Sequence, residues 1–429
     1  MVIHFIGVLI GLTIAIMLIV KKLNPVCALL FGTVVGALIG GADLPHTLSV
    51  LISGAESVTK VIVRIIAGGV LAGVLIESGA AESIARTIVA KFGEKYVLLA
   101  IALAGLVLTA AGIFITTAIL ILIPIALSVG KRANMSKTAL LLALSGGSKA
   151  GNIISPNPNT VVLADAFGLS ISDVMVSGAI PALFGFAAAV FLAGLVKRKG
   201  SAVTEADIEG DKNAVAADLP PFSKAIAAPV LAILLLIVSP VGNLLNIEWM
   251  RSFRIDAFFI LPFAAAVGAI VLGKGKNIMA YANAGVSRMT PIVLMLTGAG
   301  AIGGLITNSN LPQTIVGVIN AIGVSGVFLA PISGTLMASA AGSTVTGSIL
   351  ATNAFAPEIL RAGVAPIAAA VMIHAGALFI DVMPHGNIFL ASKEAMKMEA
   401  KERLQLIPYE AAVGGAMVVV TTILYGFVF

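Results

Sequence analysis

The sequence predicts an all-α polytopic membrane protein. Two inverted-topology repeats are expected, each of about five transmembrane helices with a re-entrant hairpin and a broken helix. Three observations carry that expectation: the hydrophobic balance of the chain, a polar break inside one apolar segment, and a copy of that break in the other half. Of the 429 residues, 59% are hydrophobic and 11% charged, against about 25% charged in soluble domains. Mean hydropathy is +1.10, and apolar runs near the bilayer-spanning length of about 20 residues recur. A membrane β-barrel would instead show short alternating segments.

The break lies in residues 145–160, Ser-Gly-Gly-Ser-Lys-Ala-Gly-Asn-Ile-Ile-Ser-Pro-Asn-Pro-Asn-Thr, between apolar runs at 138–144 and 161–166. Pro156 and Pro158 cannot donate backbone hydrogen bonds. Irregular backbone at membrane depth is tolerated only where protein or a water-filled cavity surrounds it. Secondary transporters place their substrate sites at such discontinuous helices. The alternative is a polar loop between two ordinary helices. Against it stands the copy: Pro156 and Asn159 recur at the same spacing as Pro384 and Asn387. Upstream, Thr109-Ala110-Ala111-Gly112 matches Ser339-Ala340-Ala341-Gly342, and Gly73 to Ser78 matches Gly304 to Ser309. Three matches in one order at nearly one offset argue for duplication.

The elements follow in order. Residues 2–20 form the first span, and Lys21-Lys22 place its end in the cytoplasm and the N-terminus outside. No cleavage site for a signal peptide follows it. Residues 26–41 return outward. Residues 47–79 are too long for one perpendicular span and read as an interfacial piece followed by a span ending near Glu77. Lys60 and Arg64 share a helix face there, either snorkelling at the interface or meeting substrate. Residues 80–96 are amphipathic and suit the cytoplasmic surface. Two short apolar arms in 97–129 meet at Thr109 to Gly112, as a re-entrant hairpin or as two full spans. The broken helix comes next, and residues 174–195 run inward to Lys197-Arg198-Lys199. Residues 1–199 make the first repeat. Residues 200–220, rich in Glu and Asp, read as a solvated cytoplasmic linker.

Residues 221–429 repeat the plan. Spans are expected at 225–238, 257–272 and 292–306, and a surface helix at 311–322. Hairpin arms follow at 324–338 and 344–355, then a second break after 365–381 and a last span at 411–429. An odd number of crossings in each half inverts the second relative to the first.

Two hairpin tips and two broken helices then converge near the midplane. The first tip offers Thr109, Thr116 and Thr117; the second offers Ser339, Ser343, Thr344 and Thr346. The breaks offer Lys149, Asn152, Asn157, Asn159, Thr160, Asp381, His385 and Asn387. Hydroxyls and amides both donate and accept, which suits a polyhydroxylated solute. Lys149, or the free N–H groups of a half-helix, would suit a carboxylate, unless Lys149 snorkels at the cytoplasmic boundary. Asp381 and His385 are the titratable side chains of the second break. They are candidates for carrying a proton between access states, or for a structural pair. Each Ser or Thr taken alone has helix packing as its ordinary role.

Other functions are poorly supported. The net charge of +6 is spread over short loops and implies no nucleic acid. A lone Cys27 excludes an internal disulfide and reads as packing. No metal-ligand cluster, phosphate loop or paired carboxylate stands out, and no metal or organic cofactor is expected. A Ser145/Ser148/His374 protease would not require a duplicated break. A channel is the stronger rival, since re-entrant hairpins also line pores. Two hairpins in inverted repeats favour alternating access.

At these motifs the chain resembles the gluconate permease family. Glu77 to Thr87 resembles that family's segment before the surface helix, and Gly342-Ser343-Thr344-Val345 its Gly-Ser-Ala-Thr-Val tip. Ser155 to Thr160 occupies the place of its Pro-Pro-His-Pro-Gly-Pro break. Ala375 to Phe379, running on to Asn387-Ile388-Phe389, resembles its last motif. Three positions depart from the pattern. Asn157 replaces the break histidine, Ile113 to Thr117 stand where an acidic residue is expected, and Asp381 to His385 replace His-Val-Asn-Asp. The resemblance implies import of gluconate-like sugar acids, other small hydroxy carboxylates or D-serine, usually with protons. Na⁺ is the alternative coupling ion. It further implies a multi-pass protein of the bacterial inner membrane, surrounded by lipid, with a homodimer by analogy.

Overall fold

Polar side chains cap some of the helices, among them Asn24, Asp43, Ser136 and Asn157, and several helices carry proline in the first turn, where its missing N–H costs nothing. The computed structural model describes residues 2–21, 23–208, 219–253, 255–311, 313–314, 317 and 325–428. Asn24 caps α1's successor α2 (Pro25–Ile39), after α1 (Phe5–Val20). Asp43 caps α3 (Leu44–Ser57), and α4 (Thr59–Glu77) continues it past Val58. The amphipathic α5 (Ala80–Phe92) meets the following helical segment at 106°. The first hairpin is α6 (Val97–Ala110) and α7 (Ile115–Arg132). The broken helix is α8 (Lys137–Ile153) and α9 (Pro158–Ala166), followed by α10 (Ile171–Ser177) at 108° and α11 (Ala179–Leu195).

In the second half come α12 (Ala227–Leu245), α13 (Ala257–Val271) and α14 (Ile278–Thr307). The second hairpin is α15 (Leu329–Ala341) and α16 (Thr344–Arg361). The second broken helix is α17 (Pro366–Ala377) and α18 (Asn387–Ala395), and α19 (Ala400–Ile423) closes the fold. Among the described residues the only β features are two isolated bridges, Ile3 with Ser309 and Ser136 with Ala202. Among the described residues five helices are long and apolar enough to cross a membrane, or up to seven if each bent pair is one span.

Packing sorts the helices into two groups. Helices α1 to α4 pack with α12 to α14, and α6 to α11 with α15 to α19. In the second group each hairpin reaches across the halves. Its outer arm lies on the far half of the other broken helix, α16 on α9 and α7 on α18. Glycine sets how close the backbones come: a Cβ on Gly147 would meet the Ala102 backbone, and one on Gly285 the Gly69 backbone.

Several expected boundaries move. The span placed at 292–306 begins at Ile278, because Pro291 sits inside α14 rather than before it. Pro158 does not break a helix; it is the first residue of α9, and the irregular backbone is 154–157. The run 174–195 divides at Gly178. The acidic linker is not wholly solvated. Asp207, in the turn Glu205–Ile208, is 6% exposed and 2.8 Å from Lys137 Nζ. Residues 209–218, and most of the expected helix 311–322, lie outside the described residues.

Candidate functional site

Each hairpin turns back at the level of a break. Gly112, at φ +98°, closes the first tip, and a Cβ there would lie 4.0 Å from Pro156 Cγ. Gly342, at φ +61°, closes the second, and a Cβ there would lie 2.8 Å from Gly386 Cα and 2.9 Å from the His385 ring. Positive φ at a tight turn favours glycine. The turn at Gly342 leads directly into Ser343 and Thr344 beside the second break.

The first break is held by its own amides. Asn157 Oδ1 accepts from the N–H groups of Asn159 and Thr160, capping α9. Asn157 Nδ2 donates to the Asn152 carbonyl at 2.8 Å, and Thr160 Oγ1 to the Ser155 carbonyl at 2.6 Å. Asn152 Oδ1 accepts from Asn159 Nδ2 at 2.8 Å and lies 3.1 Å from His374 Nε2 on α17. With Asn152 so oriented, His374 carries its hydrogen on Nε2. Ser155 Oγ and Asn159 Oδ1 are buried without a hydrogen-bond partner among the described residues.

The two breaks meet at a buried ion pair. Lys149, one turn before the first break, is 1% exposed; Asp381, in the second, is 0% exposed, and they lie 2.6 Å apart. Lys149 Nζ also donates to the Leu378 carbonyl at 2.8 Å and reaches the Glu410 carbonyl at 3.4 Å. Thr344 Oγ1 of the second tip donates to Asp381 Oδ2 at 2.8 Å. Three elements from both halves therefore converge on one neutral pair. Lys149 is thus enclosed, its ammonium met by one carboxylate and two backbone carbonyls. A buried pair of this kind is weak as a stabiliser, whereas ionisable groups in membrane segments are by default functional.

The remaining sequence-predicted residues are spread around this centre. Thr109 Oγ1 bonds carbonyls of Gly105 and Ser148, tying α6 to α8. Thr116 and Thr117 are half-buried. Ser343 caps α16 by accepting from Thr346 N–H, and Thr346 Oγ1 donates to Met295 Sδ on α14. Asn387 is exposed at the start of α18. His385 Nε2 lies 3.1 Å from the Ala340 carbonyl at the second tip. Asp381 and His385 thus have different partners.

Arg403, which reads from sequence as one of the cytoplasmic charges after the second break, forms instead a buried pair. Arg403 and Glu410, both on α19, are 0% and 1% exposed and 2.7 Å apart, and Arg403 Nε donates to Ser392 Oγ on α18. Their spacing of two helical turns was the available signal. At the other end, Arg64 pairs with Asp256, the cap of α13, at 2.6 Å, and with Asp165 at the end of α9 at 3.2 Å. Burial pushes the Asp256 carboxyl up. The Arg64 hydrogen bond, the Phe258 N–H and the Arg64 and Lys60 charges outweigh that and hold it below its ordinary value.

Comparison with known proteins agrees with this architecture. The chain is 47% identical over 98% of both sequences to an uncharacterized transporter of Haemophilus influenzae. It is 24% identical to a high-affinity gluconate transporter of Escherichia coli, over 84% of this chain and 83% of that protein. The D-serine transporter DsdX of the same organism is also 24% identical, over 90% of each. The fold is similar to the solved YdaH transporter of Alcanivorax borkumensis, with TM-score 0.66 and 16% identity over 90% of this chain and 89% of that one. The family model for GntP family permeases matches residues 3–428. The chain is a member of the GntP permease family.

Proposed function

We propose that the chain is a secondary active transporter for gluconate-like sugar acids or other small hydroxy carboxylates, coupled to protons, in the bacterial inner membrane. The observation that carries this reading is the Lys149–Asp381 pair, placed where both broken helices and the second hairpin tip meet. It offers one cation for a carboxylate and one carboxylate for a proton. Ser155 Oγ and Asn159 Oδ1, buried without partners among the described residues, fit solute hydroxyls. The names of the gluconate and D-serine relatives support the same solute class.

Alternating access follows if residues 1–199 and 221–429 are inverted repeats. The recurrence of hairpin, broken helix and closing helix in one order supports that division. Sodium coupling is the second reading. The oxygen atoms at the first break favour it, since broken helices can also coordinate Na⁺. An uptake screen in proteoliposomes tests the proposal, using gluconate, short hydroxy acids, dicarboxylates and D-serine under imposed proton or sodium gradients. Accumulation of a sugar acid under a proton gradient alone is expected. Accumulation under a sodium gradient alone would move the coupling to the first break, and no uptake of any of these solutes would refute the reading.

A further inference from the structure

We infer that Lys149 exchanges counter-ions during the cycle: Asp381 when the site is empty, and the carboxylate of a monoanionic substrate once Asp381 has taken up a proton. This inference rests on the transport reading and adds how the site balances its charge.

The argument starts from the charges that face the pair. On α19, Glu410 offers Lys149 only its backbone carbonyl, while its carboxylate is matched by Arg403. On α17, His374 is engaged with Asn152, and at the tip His385 faces the Ala340 carbonyl. Helices α6 and α11 carry no titratable side chain. The charges of α7, Lys131 and Arg132, sit in its last turn. Glu358 and Arg361 pair with each other at the far end of α16, and Asp165 meets Arg64 at the far end of α9. Among the described residues, no other charged side chain pairs with Lys149 or Asp381.

Four occupancies can then be ranked. With Asp381 ionised and no substrate, the two charges lie 2.6 Å apart and cancel. A carboxylate entering beside ionised Asp381 would put two anions on one ammonium in a site 0–1% exposed. Protonation of Asp381 without substrate would leave the ammonium unmatched. Both are costly because an unpaired buried charge keeps its desolvation penalty. With a proton on Asp381 and a carboxylate on Lys149, the site is neutral again. Proton and anion therefore enter together without touching. The proton comes from water to an Asp381 oxygen, Lys149 stays an ammonium, and the substrate stays a carboxylate. Thr344 Oγ1 donates to Asp381 Oδ2 and keeps that acceptor when the proton sits on Oδ1, the oxygen that faces Lys149. A second carboxylate on the solute would lack a cation, so the site takes monoanions in preference to dianions.

Calorimetric titration of gluconate into the purified full-length chain, in buffers of different ionisation enthalpy, counts the protons bound per gluconate. About one is expected for the wild type, with the Kd rising about tenfold per pH unit above the coupling pKa. Asp381→Asn should bind gluconate with no proton uptake and no such pH dependence. Lys149→Met/Asp381→Asn keeps the site neutral and should lose gluconate affinity by about tenfold or more without a fall in melting temperature. Wild-type binding without proton uptake would overturn the inference and leave the transport reading standing. So would proton uptake retained in Asp381→Asn, or wild-type affinity in the double variant. If Asp381→Asn does not fold, the wild-type proton count still decides. No binding of gluconate by the wild type would overturn the gluconate reading and the inference with it.

Discussion

Arg403 is the largest fully buried side chain among the described residues, and its surroundings explain why it is tolerated. Glu410 takes its charge, Ser392 accepts from Nε, and the Phe389 ring lies 4.9 Å from its Cζ. It fastens α18, the far half of the second broken helix, to α19. Glu410→Ala leaves the guanidinium buried and unmatched, a loss of about 3–5 kcal/mol. A large fall in melting temperature is expected, and Arg403→Met/Glu410→Met should recover most of it. An unchanged melt in Glu410→Ala would show that the pair carries no strain of desolvation. Gly342 makes a different demand. An alanine there must hold a left-handed backbone, at about 1 kcal/mol, and must push aside Gly386 Cα. Gly342→Ala should therefore both destabilise the fold and slow uptake, while Gly363→Ala, at φ +82° with open space around it, should cost only the backbone term. Equal melts for the two would contradict the tip-on-break contact.

Between helices, the cluster of Arg64, Asp256 and Asp165 joins α4 and α13 of one packing group to α9 of the other. Asp256 is held below its ordinary carboxylate range. Its contribution to stability is fully present above about pH 4, the value in the unfolded chain. It is lost as pH falls through the lowered native value. An acid melt series should show that loss in the wild type and a smaller one in Asp256→Asn; identical profiles would remove the cluster from the stability of this end. Such pairings were not legible in the sequence. Lys60 and Arg64 could be seen to share a face, but their partners lie in other helices, which periodicity cannot name. The breaks were legible because proline and asparagine interrupt apolar runs. The start of α14 was not, since Pro291 looks like a boundary and is accommodated within the helix.

At the scale of the whole chain, the duplicated motifs fall on equivalent elements: Gly112 and Gly342 on hairpin tips, Pro156 and Pro384 in breaks. That much followed from order and spacing alone. The meeting of Lys149 with Asp381 did not, because it depends on how two distant breaks pack against each other. An experimental structure should superpose residues 1–199 on 221–429 after rotation about an axis in the membrane plane; parallel halves would rule out inverted repeats. The central claim is that this junction is where the carboxylate binds. Gluconate uptake by Lys149→Met in proteoliposomes under an imposed proton gradient tests it most directly. The loss of one charge-assisted contact predicts a KM raised about tenfold or more. Unchanged uptake kinetics would contradict the claim and remove Lys149 from the site.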